Sequence, residues 1–119
     1  MGIFGFGKKE EEETIRDFSE IDTMQKAKKA AKKGILKPLY LISPLCGGAK
    51  DALNTLYVPP AAVQQKDRID NMLFDAVNAG KTVKGFSCSP QYKGSSFVPS
   101  SIRIVAGGDV DVDETIEIW

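Results

Sequence analysis

Apolar residues fall at helical spacing in two stretches of the chain and in extended patterns around them. Ile21, Met24, Ala27 or Lys28, Ala31 and Ile35 recur at steps of three and four, which gives a helix beginning near Ser19 one face. Ser19 and Asp22 have capping-box spacing with Asp in place of Glu, and Gly34 stands where a helix wants its C′ residue. The second helical stretch follows Pro59 and Pro60. Pro60 suits the first helical position, so the spacing predicts a helix over 61–79 with Gly80 at C′. Val63, Ile69, Met72, Leu73, Ala76 and Val77 form most of its apolar face, and Asp67, Arg68, Asp70, Asn71, Asp75 and Asn78 supply the polar side.

Between the helices, Leu36 to Ser43 (LKPLYLIS) is nearly continuously apolar, the pattern of a central strand covered on both sides. Pro38 confines its secure part to the residues that follow, and Pro44 ends it. A short strand over 55–58 lies against it as a loose hairpin. After the second helix, Thr82 to Cys88 has strand character, with Val83, Gly85 and Ser87 on one face and Thr82, Lys84, Phe86 and Cys88 on the other. Ser89 to Ser101 reads as a long loop or distorted hairpin. Ile102, Ile104 and Ala106 alternate with Arg103 and Val105 in the next strand, GGDVDVD supplies a turn, and Thr115 to Trp119 forms a last strand that must be tied into a sheet to cover Ile116, Ile118 and Trp119. The element order predicts an α+β fold: a single compact domain with two helices packed on a mixed or mainly antiparallel sheet of about four to five strands. Residues 1–18 are expected to form a flexible N-terminal segment and 19–119 the domain.

Composition narrows this picture. At 119 residues with 42% hydrophobic content the chain can fold without a metal or disulfide. Lys+Arg 16 balance Asp+Glu 16, so no global field draws the protein to nucleic acid, while self-association is tolerated. The lysines at 26, 28, 29, 32, 33 and 37 contain no arginine among them and no interleaved aromatic residue, and they suit the C-terminal end of the first helix as a solvated face. No apolar run approaches the ~20 residues of a membrane span, so stable membrane insertion is not expected. In MGIFGFGKKEEEE, Gly2 invites N-myristoylation, but Phe6 stands where that motif wants Ser or Thr; the segment reads as a frayed terminus, with membrane contact or partner docking as the other readings. Two cysteines without a signal peptide point to free thiols and a cytoplasmic protein.

The chain has no histidine. That removes the usual neutral-pH general base and excludes Ser-His-Asp and Cys-His arrangements within one chain. In PLCGGAKDAL, Cys46 therefore reads as a buried thiol at a glycine bend rather than a nucleophile, and Cys88 as another structural thiol. The CGGAKDA string has the wrong spacing for a phosphate loop, with Asp51 where a hydroxyl belongs. Asp109, Asp111 and Asp113 would share one face of an extended strand, with Glu114 adjacent. At ~6.6 Å between alternate residues they are too spread for one tight ion and read as a solvated edge. No cofactor and no metal is expected.

The remaining candidate is the segment after the third strand. Gln91, Tyr92, Lys93, Ser95, Ser96 and Phe97 combine aromatic anchors with adaptable polar groups, as recognition surfaces do. The sequence thus points to a non-enzymatic protein-binding or regulatory domain whose partner is another protein. Two alternatives stand beside it: a small enzyme or enzyme subunit using Cys46, Lys50, Asp51, Tyr92 or the late carboxylates, and a structural assembly subunit using the terminal strand.

Overall fold

The structure is a computed structural model that describes residues 17–119. Expectations for Met1 to Arg16 lie outside the described residues. Phe18, assigned above to the N-terminal segment, belongs to the folded unit: its ring is buried. The first helix, α1, spans Met24–Lys32 and starts later than the sequence suggested. Ser19 does not cap it. Its N–H instead donates to Asp17 Oδ1 at 2.7 Å, and Phe18 C=O accepts from Ile21 N–H at 3.1 Å, a turn that seats Phe18. The cap is Thr23, extended at φ −139°, whose hydroxyl accepts from Lys26 N–H at 3.1 Å. Ala27 and Ala30 face inward, and their small side chains let the helix lie close to its neighbours.

Strand β1 (Lys37–Tyr40) pairs antiparallel with β2 (Thr55–Val58), Lys37 opposite Val58 and Tyr40 opposite Thr55. The hairpin is the one predicted, but β1 is not a central strand: β2 is its only sheet partner among the described residues. Pro38 is tolerated there because no second neighbour needs its missing N–H. The connection contains two 3₁₀ turns, Pro44–Cys46 and Ala52–Asn54. Asn54 closes its base. Its side chain accepts from Ile42 N–H at 2.8 Å and donates to the carbonyls of Ile42 at 2.9 Å and Ala49 at 2.7 Å.

Helix α2 spans Pro60–Asn78, within a residue of expectation at each end. Its buried residues are Ala62, Lys66, Ile69, Asp70 and Leu73. This corrects the predicted faces: Met72 and Val77 are exposed, while Asp70, assigned to the polar side, is inside.

Strands β3 (Val83–Gln91), β4 (Ser101–Gly108) and β5 (Val112–Glu117) form an antiparallel sheet in that order. Of the two readings of Ser89 to Ser101, a long loop or a distorted hairpin, the hairpin is the one observed: Ser89 to Gln91 continue β3, and the chain turns between Gln91 and Ser101. β3 carries a bulge. Lys84 pairs with Gly107 and Ser87 with Val105, three steps on one strand against two on the other. Gly85 absorbs the extra residue at φ +64°, a conformation that side chains resist. Phe86 and Cys88 therefore join Val83 against the core, which corrects the two-face reading of this strand.

The described residues form an α+β fold, two α-helices and five antiparallel strands, the strands divided two and three between separate sheets rather than gathered in one. The main core places Leu39, Val58, Ile69 and Leu73 with Ile102, Ile104, Val112 and Ile116. A second cluster gathers Phe18, Ala27, Ala30, Leu36 and Val98, and Ile118 packs against both. Among the described residues no helix is long and apolar enough to cross a membrane.

Candidate functional site

The β3–β4 connection is held from below and open above. Ser96 is buried; its hydroxyl donates to Phe18 C=O at 2.7 Å and accepts from Val98 N–H at 3.0 Å. Phe97 N–H donates to Ile21 C=O at 2.7 Å, and Ser100 N–H closes the hairpin on Gln91 C=O at 2.7 Å. Trp119 locks the far side: its indole N–H donates to Val98 C=O at 3.0 Å, and its ring meets Phe18 edge-on at 6.1 Å. The Lys93 ammonium lies 4.9 Å from the Trp119 ring centroid, a cation–π distance. Above these tethers Tyr92 is 47% and Phe97 42% exposed, with Gln91, Lys93 and Ser95 exposed around them. Partial burial pushes the Tyr92 phenol up, so it stays a neutral hydroxyl. Of the six residues singled out in the sequence, five are on the surface and Ser96 is the tether beneath.

A second feature escaped sequence reasoning. A cleft of about 540 Å³ runs between α2 on one side and β1 with the first 3₁₀ turn on the other. Lys66 and Asp70 form its floor. They are only 1% and 5% exposed, and the Lys66 ammonium donates to both Asp70 oxygens at 2.8 and 2.7 Å. Phe86 lies beneath, its ring centroid 5.9 Å from the same nitrogen. Burial pushes the Asp70 carboxyl up despite the lysine, and the Asp67 charge adds to the push. The signal was present: Ala62, Lys66, Ile69 and Leu73 step by four, three and four, so Lys66 completes the inward stripe, and an acid follows it four residues on.

Across Asp70 and Ser43 a smaller cavity, about 240 Å³, is lined by Ile42, Leu73, Val77, Val83 and Phe86. Cys46 is on its wall. The bend expected there is present, but the thiol is exposed rather than buried, because the 3₁₀ turn projects from the body. Gly48 is required at this bend: a Cβ would run into the Ile42 carbonyl. Cys88 is partly buried, and loss of solvent pushes its thiol up to about 11.

The other candidate groups are dispersed. Asp51 caps the second 3₁₀ turn by accepting from Asn54 N–H at 3.2 Å, Lys50 lines the large cleft, Cys46 the small cavity, and Tyr92 neither. The late carboxylates do not share a strand face, since β5 begins only at Val112. Asp109 accepts from Thr82 N–H at 2.8 Å, and Asp113 takes a bidentate pair from Arg103 at 2.9 and 2.8 Å, which holds its carboxyl below the usual range. Among the described residues no three acidic, cysteine or histidine side chains are grouped to hold a metal ion. A scan of the chain against protein-family models finds no match, and neither does a comparison with curated proteins.

Proposed function

We propose that this is a non-enzymatic protein-recognition domain that binds another protein through the β3–β4 connection, with Tyr92 and Phe97 as anchors and Gln91, Lys93 and Ser95 around them. One observation carries the reading: the segment is bonded to Phe18, Ile21 and the Trp119 side chain from below, yet leaves both aromatic rings part-exposed. A surface already ordered loses little entropy on binding, and the few residues that dominate binding energy in known interfaces are enriched in Tyr, Trp and Arg. Ser96 serves the surface indirectly, by fixing its height. The two free thiols favour a reducing compartment, and we assign the protein to the cytoplasm on that ground.

The test uses a photo-crosslinking residue placed in turn at Tyr92, Phe97 and Leu53. Leu53 is 92% exposed and apolar but lies on the β1–β2 connection, so it controls for mere stickiness. The expected result is one protein crosslinked in common from positions 92 and 97 and absent from position 53, lost when the untouched aromatic of the pair is changed to Ala. The same products from all three positions, or none from 92 and 97, would refute the surface. A crosslink to a second copy of the chain would instead favour the assembly reading.

A further inference from the structure

The large cleft has a charge arrangement that the recognition surface does not use. Its helix wall carries Asp67 and Asp70 with Lys66, two carboxylates against one ammonium, and Lys66 is already committed to Asp70. That wall is therefore left with one net negative charge, placed at exposed Asp67. The opposite wall carries Lys50, exposed on the loop after the 3₁₀ turn. Among the described residues neither Asp67 nor Lys50 takes part in an ion pair. Between them the lining is mostly apolar, from Leu39, Val63, Pro44 and Leu45, with the Tyr40 and Asn71 side chains at hand. The volume is in the range of small-molecule sites, and an apolar lining with a few convergent polar groups is their usual make-up.

We propose that this cleft binds a small zwitterion, an amino acid or amino-acid-like molecule with an apolar body, its ammonium group against Asp67 and its carboxylate against Lys50. A ligand of single charge would satisfy one wall and be repelled or ignored by the other. A neutral apolar ligand would leave both charges without a partner. The buried Lys66–Asp70 pair is internal to α2, so it leaves Asp67 as the open charge of that wall.

The test is a titration of the full chain followed by amide chemical shifts, using leucine, isoleucine, methionine and phenylalanine as probes. The expected result is a saturable shift centred on Tyr40, Lys50, Asp67 and Asn71 with at least one of them. The N-acetyl form, lacking the ammonium, and the amide form, lacking the carboxylate, should each bind more weakly, by up to about fivefold. Lys50→Met and Asp67→Asn should cause the same losses, and because both side chains are exposed the variants should keep the parent melting temperature. The ligand derivatives give the answer even if a variant fails to fold. No saturable shift up to millimolar ligand, equal binding of the blocked derivatives, or the same shifts from inorganic phosphate or putrescine alone would overturn the proposal.

Discussion

Lys66 and Asp70 are the residues at which local chemistry and hydropathy part company. A lysine in the middle of an apolar stripe survives because the acid one turn later takes two of its protons in hydrogen bonds. Removing one partner leaves the other buried and unpaired, so Lys66→Ala should cost about 3–5 kcal/mol in urea unfolding. Replacing both, Lys66→Met with Asp70→Leu, should cost about 1 kcal/mol or less, since an apolar pair of similar volume needs no desolvation. A double variant as unstable as the single one would show that the pair contributes net stability. The cysteines divide in a second way. With its thiol pushed up to about 11, Cys88 at pH 8 is thiolate in only about one molecule in a thousand, and it is partly covered as well. Alkylation at pH 8 should therefore add one label per chain, on Cys46, with Cys88 labelled only after unfolding; mass spectrometry of the peptides decides it.

At the scale of elements, the start of α1 separates two capping signals that look alike in the sequence. Thr23→Ala should cost about 1 kcal/mol, whereas Ser19→Ala should cost little, because only Thr23 accepts a helix N–H. Thermal unfolding of the two variants side by side is sufficient. Ser19 misleads because Phe18 must be buried, and the turn that seats it consumes the residues a longer helix would use. Where apolar spacing is local and strong, the reading holds: α2 and the β1–β2 hairpin lie where Pro60, Gly80 and the LKPLYLIS run put them. What spacing cannot carry is long-range pairing. Nothing in LKPLYLIS distinguishes a strand buried in a large sheet from one buried under a helix, so the division into two sheets was not legible. The recognition segment was legible by its residue types, but not the burial of Ser96, which depends on Phe18, 78 positions away.

The described residues are held by two apolar clusters that meet at Ile118. Trp119, the only tryptophan, is in the smaller one, so its fluorescence reports α1 and the recognition segment, while far-UV circular dichroism reports the whole fold. Shared packing through Ile118 predicts coincident urea transitions by the two probes. An earlier fluorescence transition would mark the smaller cluster as a separately opening unit. Trp119→Ala should cost about 3 kcal/mol, since it removes a ring packed on Phe18 and the indole donor to Val98 together. It should also loosen the surface bearing Tyr92 and Phe97, measurable as faster amide exchange from Lys93 to Phe97.

The bulge in β3 has a genetic reading. Without Gly85 the remaining residues alternate in regular pleat: Val83, Phe86 and Cys88 inward, Lys84 and Ser87 outward, with Ser87 still opposite Val105. The glycine is a single codon that can be lost in frame without changing one core side chain. A deletion variant is expected to fold cooperatively, keeping the Ser87–Val105 pairing in nuclear Overhauser contacts while the strand straightens beside the cavity lined by Val83 and Phe86. Loss of cooperative folding would tie the bend to the core instead. If the deletion folds, the lineage of this chain can gain or shed the bend in one mutational step, reshaping a cavity wall while the core beneath is inherited intact.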